Sequence, residues 1–188
     1  MEIYEVVLLI TASFFAGIIN SIAGGGSFLT FPALVFAGVP TIAANATSAV
    51  AVFPGYLSGA LGFAKELKAF PKSKFLLLIF LSISGGVLGS ILLLITPEVV
   101  FSFIIPWLLG FATLLFAFGN YVSKLAEKTS DTNGFKSNIA TLLVCIYGGY
   151  FNGGLGIVLL ALFSTLGMRD IHLMNGLKNI MSFALSAA

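Results

Sequence analysis

Gly17-Ile18-Ile19-Asn20-Ser21-Ile22-Ala23-Gly24-Gly25-Gly26-Ser27 lies in the middle of a largely apolar run that extends from residue 3 to residue 37. As a single helix that run would be about 52 Å long at about 1.5 Å per residue, far more than the about 30 Å hydrocarbon core of a bilayer requires. Three consecutive glycines each cost about 1 kcal/mol in a helix interior, so the helix is expected to break here. A broken pair of segments, or a re-entrant hairpin, returns the chain to the side on which it began.

The composition puts that break in lipid. Of 188 residues, 59% are hydrophobic and 9% charged, against roughly 45–50% and about 25% in an average soluble domain. Nine basic and seven acidic residues cannot cover a soluble protein of this size, so most faces meet the bilayer. Disorder is excluded by the hydrophobicity. Nucleic acid is excluded as a partner, because the formal charge of +2 comes from scattered residues with no basic patch. A lone Cys145 and a lone His172 can form neither an intramolecular disulfide nor a zinc site, and no cofactor is expected. Cys145, in an apolar run, reads as a small buried hydrophobe. Glu2 and Glu5 stand where a signal peptide would be positive, so the first apolar segment is expected to stay in the mature protein.

The charges also set a topology. Seven lysines fall in two hydrophilic connections, Lys65, Lys68, Lys72 and Lys74 in the first and Lys124, Lys128 and Lys136 in the second. The positive-inside rule makes both connections, residues 64–74 and 120–137, cytoplasmic. The runs 75–95 and 99–119 then cross twice around an outside turn at Thr96-Pro97-Glu98, and Thr41 to Phe63 is a further span. This puts the Gly38-Val39-Pro40 turn outside and, with a broken first segment, the amino terminus outside as well. The expected fold class is all-α, a polytopic transmembrane helical bundle in the inner (plasma) membrane.

A second glycine cluster echoes the first. Gly149-Tyr150-Phe151-Asn152-Gly153-Gly154-Leu155-Gly156 places Gly149, Asn152 and Gly156 at one offset from Gly17, Asn20 and Gly24. In each stretch about ten apolar residues follow, then a glycine turn (Gly38, Gly167), then an Asn (Asn45, Asn175). Residues 1–119 read as a first membrane repeat and 138–188 as a second, incomplete one, separated by the 120–137 loop. The loop parity inserts the two in opposite senses. Such an inverted repeat with Gly-broken helices is the architecture in which many secondary carriers hold substrate at the midplane.

Three blocks resemble the sulfite exporter TauE/SafE family of permeases: residues 17–40, residues 44–63, and the stretch 148–179 with Gly167, Asp170, Ile171, His172, Met174, Asn175, Lys178 and Asn179. The resemblance implies a multi-pass permease for small anions, especially sulfur-containing ones such as sulfite or sulfonates. Family members usually have about eight spans. On that pattern the second copy here stops two spans short, and the chain reads as a fragment or a truncated gene product.

The candidate site follows from what an anion needs in hydrocarbon. Half-helix amino termini present backbone N–H groups with partial positive charge, and glycine lets a ligand approach the backbone. Gly24, Gly25, Gly26 and Ser27 fit this role in the first copy, and Gly153, Gly154 and Gly156 in the second; the alternative for each is close helix packing. Asn20, Asn45, Asn152 and Asn175 are amides in apolar runs that must face protein or a wet cavity, either donating to an oxyanion or bonding the backbone freed at a break. Lys178 either attracts the anion or snorkels to the interface. His172 either shuttles a coupling proton or is merely interfacial. The spacing of Ser82, Gly86 and Ser90, and of Gly55 and Gly59, reads as helix packing, and Trp107 as a packed mid-span residue.

No phosphate loop, zinc-protease motif or catalytic triad is present, so no enzyme activity is expected. The expected partners are the lipid bilayer and a small anionic substrate, with a proton as candidate coupling ion and homo-oligomerisation left open. The reading is a secondary carrier working by alternating access; the alternative is a non-transporting membrane subunit or a channel-like pore.

Overall fold

The computed structural model describes residues 2–22, 24–127 and 134–188, without the side chains of residues 21, 22, 116 and 119–127. Lys128 and the centre of the second hydrophilic connection lie outside the described residues. The chain forms helices α1 (Ile3–Ile22), α2 (Ser27–Phe36), α3 (Thr41–Gly62), α4 (Ala64–Ala69), α5 (Lys72–Ile95), α6 (Glu98–Glu127), α7 (Gly134–Tyr150), α8 (Leu155–Thr165) and α9 (Ile171–Ala187), with no strand among the described residues. On length and composition α1, α5 and α6 are apolar enough to cross a bilayer, and α2 and α8 are shorter apolar helices. At about 1.5 Å per residue these two are about half as long as a bilayer core is thick.

The breaks fall where the glycines are. Gly24 and Gly154 both adopt the left-handed conformation, at φ 76° and 72°, which a side chain would disfavour. Gly38 and Gly167 do the same at φ 82° and 80°, in the turns before α3 and α9. The order helix, glycine break, short helix, glycine turn, helix therefore occurs twice, as α1–α2–α3 and as α7–α8–α9. After the first break the chain folds back. A Cβ on Gly26 would stand 2.6 Å from the Ala16 carbonyl and 2.8 Å from Asn20 Cβ.

The ends of the helices sort into two groups. At one end Phe70, Lys74, Lys136, Ser137, Thr165 and Met168 line one cavity of about 600 Å³, and the Phe63 and His172 rings lie 6.0 Å apart. At the other end Glu98 Oε1 accepts hydrogen bonds from Thr41 Oγ1 at 2.5 Å and from the Ile42 amide at 3.1 Å. The turns rich in lysine thus share one end, and the Gly38 and Pro97 turns share the other. The second connection is shorter than its polarity suggests, because α6 continues to Glu127 and α7 opens at Gly134.

Between membrane helices packing, rather than escape from water, holds the bundle together. Small residues make it possible. A Cβ on Gly86 would lie 2.5 Å from the Leu185 carbonyl of α9, and one on Gly149 would lie 2.5 Å from the Gly86 carbonyl. Gly85 backs onto Cys145 and Gly89 onto Gly149, so α5 and α7 run parallel with backbones in contact. Around this seam Cys145, Leu155, Leu159, Phe163, Met181 and Leu185 form one core cluster. Cys145 is buried, as expected of it. Trp107 is not packed: it is 71% exposed on the outer face of α6. Its position faces the lipid because the inward side of that helix is taken by Phe101, Ile105 and Ala112, all buried.

Backbone contact at Gly86 leaves no room for a side chain, whereas Gly110 has nothing within 4 Å of its Cβ position. Gly86→Leu is expected to destabilise the bundle by about 1–3 kcal/mol or more, and Gly110→Leu to leave it unchanged or slightly firmer. Melting of both variants in detergent micelles checks this; equal melting temperatures would contradict the seam.

Candidate functional site

The two glycine breaks meet. A Cβ on Gly24 would stand 2.6 Å from Gly156 Cα, and one on Gly156 would stand 2.5 Å from Gly24 Cα. No pair of residues other than glycines could cross so closely without displacing the backbone. The amino-terminal ends of α2 and α8 therefore converge on one point, and Ser27 Oγ of the first donates to Asn152 Oδ1 before the second at 3.1 Å. Helix amino termini carry the positive end of the backbone dipole, with first-turn amides lacking intrahelical acceptors.

Asn152 is the hub of a buried polar knot. Its Oδ1 also accepts from Tyr56 Oη at 3.0 Å, and its Nδ2 donates to Ser186 Oγ at 3.3 Å. Asn45 reaches across from α3 and holds the same break by its backbone: Nδ2 donates to the Tyr150 carbonyl at 3.1 Å, and Oδ1 accepts from the Asn152 amide at 3.3 Å. Of the two uses open to these amides, Asn45 takes the second, bonding backbone freed where α7 ends. Tyr147 Oη donates to the Gly153 carbonyl at 2.6 Å and closes the remaining side. Thr30 and Ser48 hydroxyls pair at 2.5 Å between α2 and α3.

Lys178 lies beside the crossing, not at the interface. Its side chain is 0% exposed, and its Cδ lies 3.1 Å from the Cβ position of Gly24. Nζ donates to Asn175 Oδ1 at 2.9 Å, while Asn175 Nδ2 donates to the Ile171 carbonyl at 3.0 Å. An ammonium has three protons to donate, and no ion pair to it is present among the described residues. Among the described residues three buried polar atoms have no partner: Asn20 Oδ1, Asn179 Nδ2 and Ser182 Oγ. Gly25 packs against Ile157, and Gly153 against the Phe151 ring.

The structure thus gathers Gly24, Gly26, Ser27, Asn152, Gly154, Gly156, Asn175 and Lys178 around one crossing, with Asn20 and Asn45 directly behind it. His172 stands apart. It is exposed in the first turn of α9, where Asp170 caps the helix by accepting from the His172 and Leu173 amides. Tyr56, Ser186 and Ser182 join the polar set without having been singled out in the sequence, and Asn179, noted there only as a residue of the family resemblance, is buried with them. A signal existed for three of them: Asn175, Lys178, Asn179, Ser182 and Ser186 recur at three- and four-residue spacing and so share a face of α9. Tyr56 gave none, since a tyrosine in a span is ordinarily apolar surface with a polar tip.

An all-helical bundle with half-length helices meeting at buried polar groups defines an integral membrane protein. The chain belongs to the sulfite exporter TauE/SafE family, whose sequence model matches residues 9–188. It is 32% identical over 158 residues to "Probable membrane transporter protein ORF9" of Sinorhizobium sp, covering 84% of this chain and 60% of that protein. It is 28% identical over 185 residues to "Probable membrane transporter protein" of Haemophilus influenzae, covering 95% of this chain and 72% of that one. No solved structure matches the chain.

Asn152→Ala would leave Ser27, Tyr56 and Ser186 without a buried partner, at about 1–3 kcal/mol for each group left unsatisfied. Tyr56→Phe removes one donor and leaves Asn152 Oδ1 still accepting from Ser27, so about 1 kcal/mol is expected. Denaturation in micelles should separate the two variants clearly; equal losses would show that Asn152 is no hub.

Proposed function

We propose that this chain is part of a secondary carrier for a small anion, sulfur-containing as in sulfite or an organosulfonate, and that the anion binds at the Gly24–Gly156 crossing. One observation carries the reading: Lys178 is fully buried with one hydrogen bond and no ion pair among the described residues. A buried cation without a counter-charge is costly, and an anion held between Lys178 and the converging amino termini of α2 and α8 would offset that cost. Asn175 holds the ammonium from below, and glycine at both breaks lets an oxyanion reach the backbone amides. The names of both relatives, as probable membrane transporters, agree with this, and the name of the family supplies the sulfur chemistry.

We further read α1–α2–α3 and α7–α8–α9 as copies inserted in opposite senses. Residues paired by the repeat lie against one another: Gly24 on Gly156, and Phe53 on Phe183 with ring centroids 4.4 Å apart. Such self-contacts are what a pseudo-twofold axis in the membrane plane produces, and rocking about it would open the crossing to each side in turn. The end rich in lysine faces the cytoplasm of a plasma-membrane protein, and the amino terminus lies outside. In this reading His172, exposed in the first turn of α9, meets a coupling proton at the interface rather than at the anion.

Proteoliposomes holding the Haemophilus relative should take up labelled sulfite saturably and in preference to sulfate or acetate. Putting Gln there at the position that aligns with Lys178 should lower anion flux at least tenfold. Unchanged flux would remove Lys178 from the site, and no saturable uptake of any anion would overturn the carrier reading.

A further inference from the structure

α5 lies in a groove between α7 and α9, and the corresponding groove of the first copy is open among the described residues. The filled groove has Cys145 and Gly149 of α7 and Leu185 of α9 against α5, with Met181 in the same core cluster and buried Ser182 next to it in sequence. The repeat pairs Cys145 with Ser13 and Gly149 with Gly17 at the offset that pairs Asn152 with Asn20. It pairs Met181, Ser182 and Leu185 with Ala51, Val52 and Gly55 at the offset that pairs Asn175 with Asn45. All five first-copy residues line one open cavity of about 350 Å³ between α1 and α3, together with Asn20, Ser58 and Gly59.

The two grooves differ in what covers them. A Cβ on Gly149 would strike α5 backbone at 2.5 Å, while one on Gly17 has nothing within 4 Å. Cys145, Met181 and Leu185 are buried; Ser13, Ala51 and Gly55 are exposed. One wall of the open groove holds a polar atom that lacks what it needs: Asn20 is 4% exposed, yet its Oδ1 has no hydrogen-bond partner. A buried acceptor calls for a donor; the Ser182 hydroxyl beside the filled groove is unpartnered too, so it is the cover over the walls that separates the two grooves. Beyond the groove α1 carries an apolar outer face, with Ile3, Val7, Ile10, Phe14 and Ile18 all exposed.

We propose that the groove between α1 and α3 seats a transmembrane helix of the α5 kind, with a glycine and serine seam towards Ser13 and Gly17, and that this helix belongs to the part of the longer relatives that this chain does not span. The chain covers 60% and 72% of those two proteins, which leaves length for it. Small residues on both walls admit backbone contact, as Gly85, Gly86 and Gly89 do for α5. A hydroxyl on the seated helix, or water trapped by it, satisfies Asn20. The inference rests on the two-copy reading above and not on the anion site.

Thiol labelling tests it with a one-atom change. Ser13→Cys in this chain, purified in detergent, should react with N-ethylmaleimide at the rate of a lipid-facing Leu94→Cys control, while native Cys145 under α5 stays at least tenfold slower. In the intact Haemophilus relative, a cysteine at the position aligned with Ser13 should be protected at least tenfold, and one aligned with Leu94 should not. Equal labelling of both positions in that relative overturns the proposal. Protection of Ser13→Cys in this chain that is lost on dilution also overturns it, since a second copy would then fill the groove. Rapid labelling of Cys145 would instead remove the α5 template and with it the two-copy reading.

Discussion

Everything in this fold turns on two glycines that touch through their backbones. Gly24 and Gly156 approach so closely that a methyl group on either would stand 2.5–2.6 Å from the other's Cα. Short helices that end at mid-depth expose amides and carbonyls that lipid cannot satisfy. Bringing the two breaks together solves that problem once for both, because each lends its polar side chains to the other. Ser27 of the first break bonds Asn152 of the second, and Asn45, after the first, bonds the backbone on either side of Phe151.

That solution constrains the neighbours. Close crossing brings α3 and α9 together, antiparallel, with Phe53 stacked on Phe183 and Gly59 pressed by the Asn179 amide. It also forces Lys178 inward, because α9 must pass the Gly24 backbone at van der Waals distance. An aliphatic stem can fill that space, whereas the charged head needs a polar partner, and Asn175 one turn earlier supplies it. The buried charge is thus a consequence of geometry that glycine alone permits.

Much of this was legible beforehand because glycine, charge and length act locally. Three glycines in a run too long for one span mark a break wherever the chain goes, and seven of the eight lysines, gathered in two stretches, mark the connections. The break between α1 and α2, the second one after Tyr150, and the turns at Gly38 and Gly167 all follow from such signals. What composition could not give was facing. Trp107 read as packed because it lies mid-span, yet which side of α6 meets lipid is decided by Phe101 and Ile105 finding partners on other helices. Tyr56 was silent for the same reason: its hydroxyl matters only because Asn152, distant in sequence, stands 3.0 Å away.

The two breaks, similar in sequence, are unequal in energy. At the second, Asn152 engages Ser27, Tyr56, Ser186 and Asn45, and the Gly153 carbonyl accepts from Tyr147. At the first, Asn20, which precedes Gly24 by the same spacing as Asn152 precedes Gly156, keeps a buried oxygen unsatisfied, a deficit of about 1–3 kcal/mol. A hydrogen-bonded break is held in one arrangement, while one with an unmet acceptor gains from any donor brought to it. Among the described residues the Asn152 break is therefore the more fully hydrogen-bonded of the two. A donor brought to Asn20 Oδ1 by the helix proposed for the α1–α3 groove would remove that difference, so seating that helix and completing the first break are one and the same packing event.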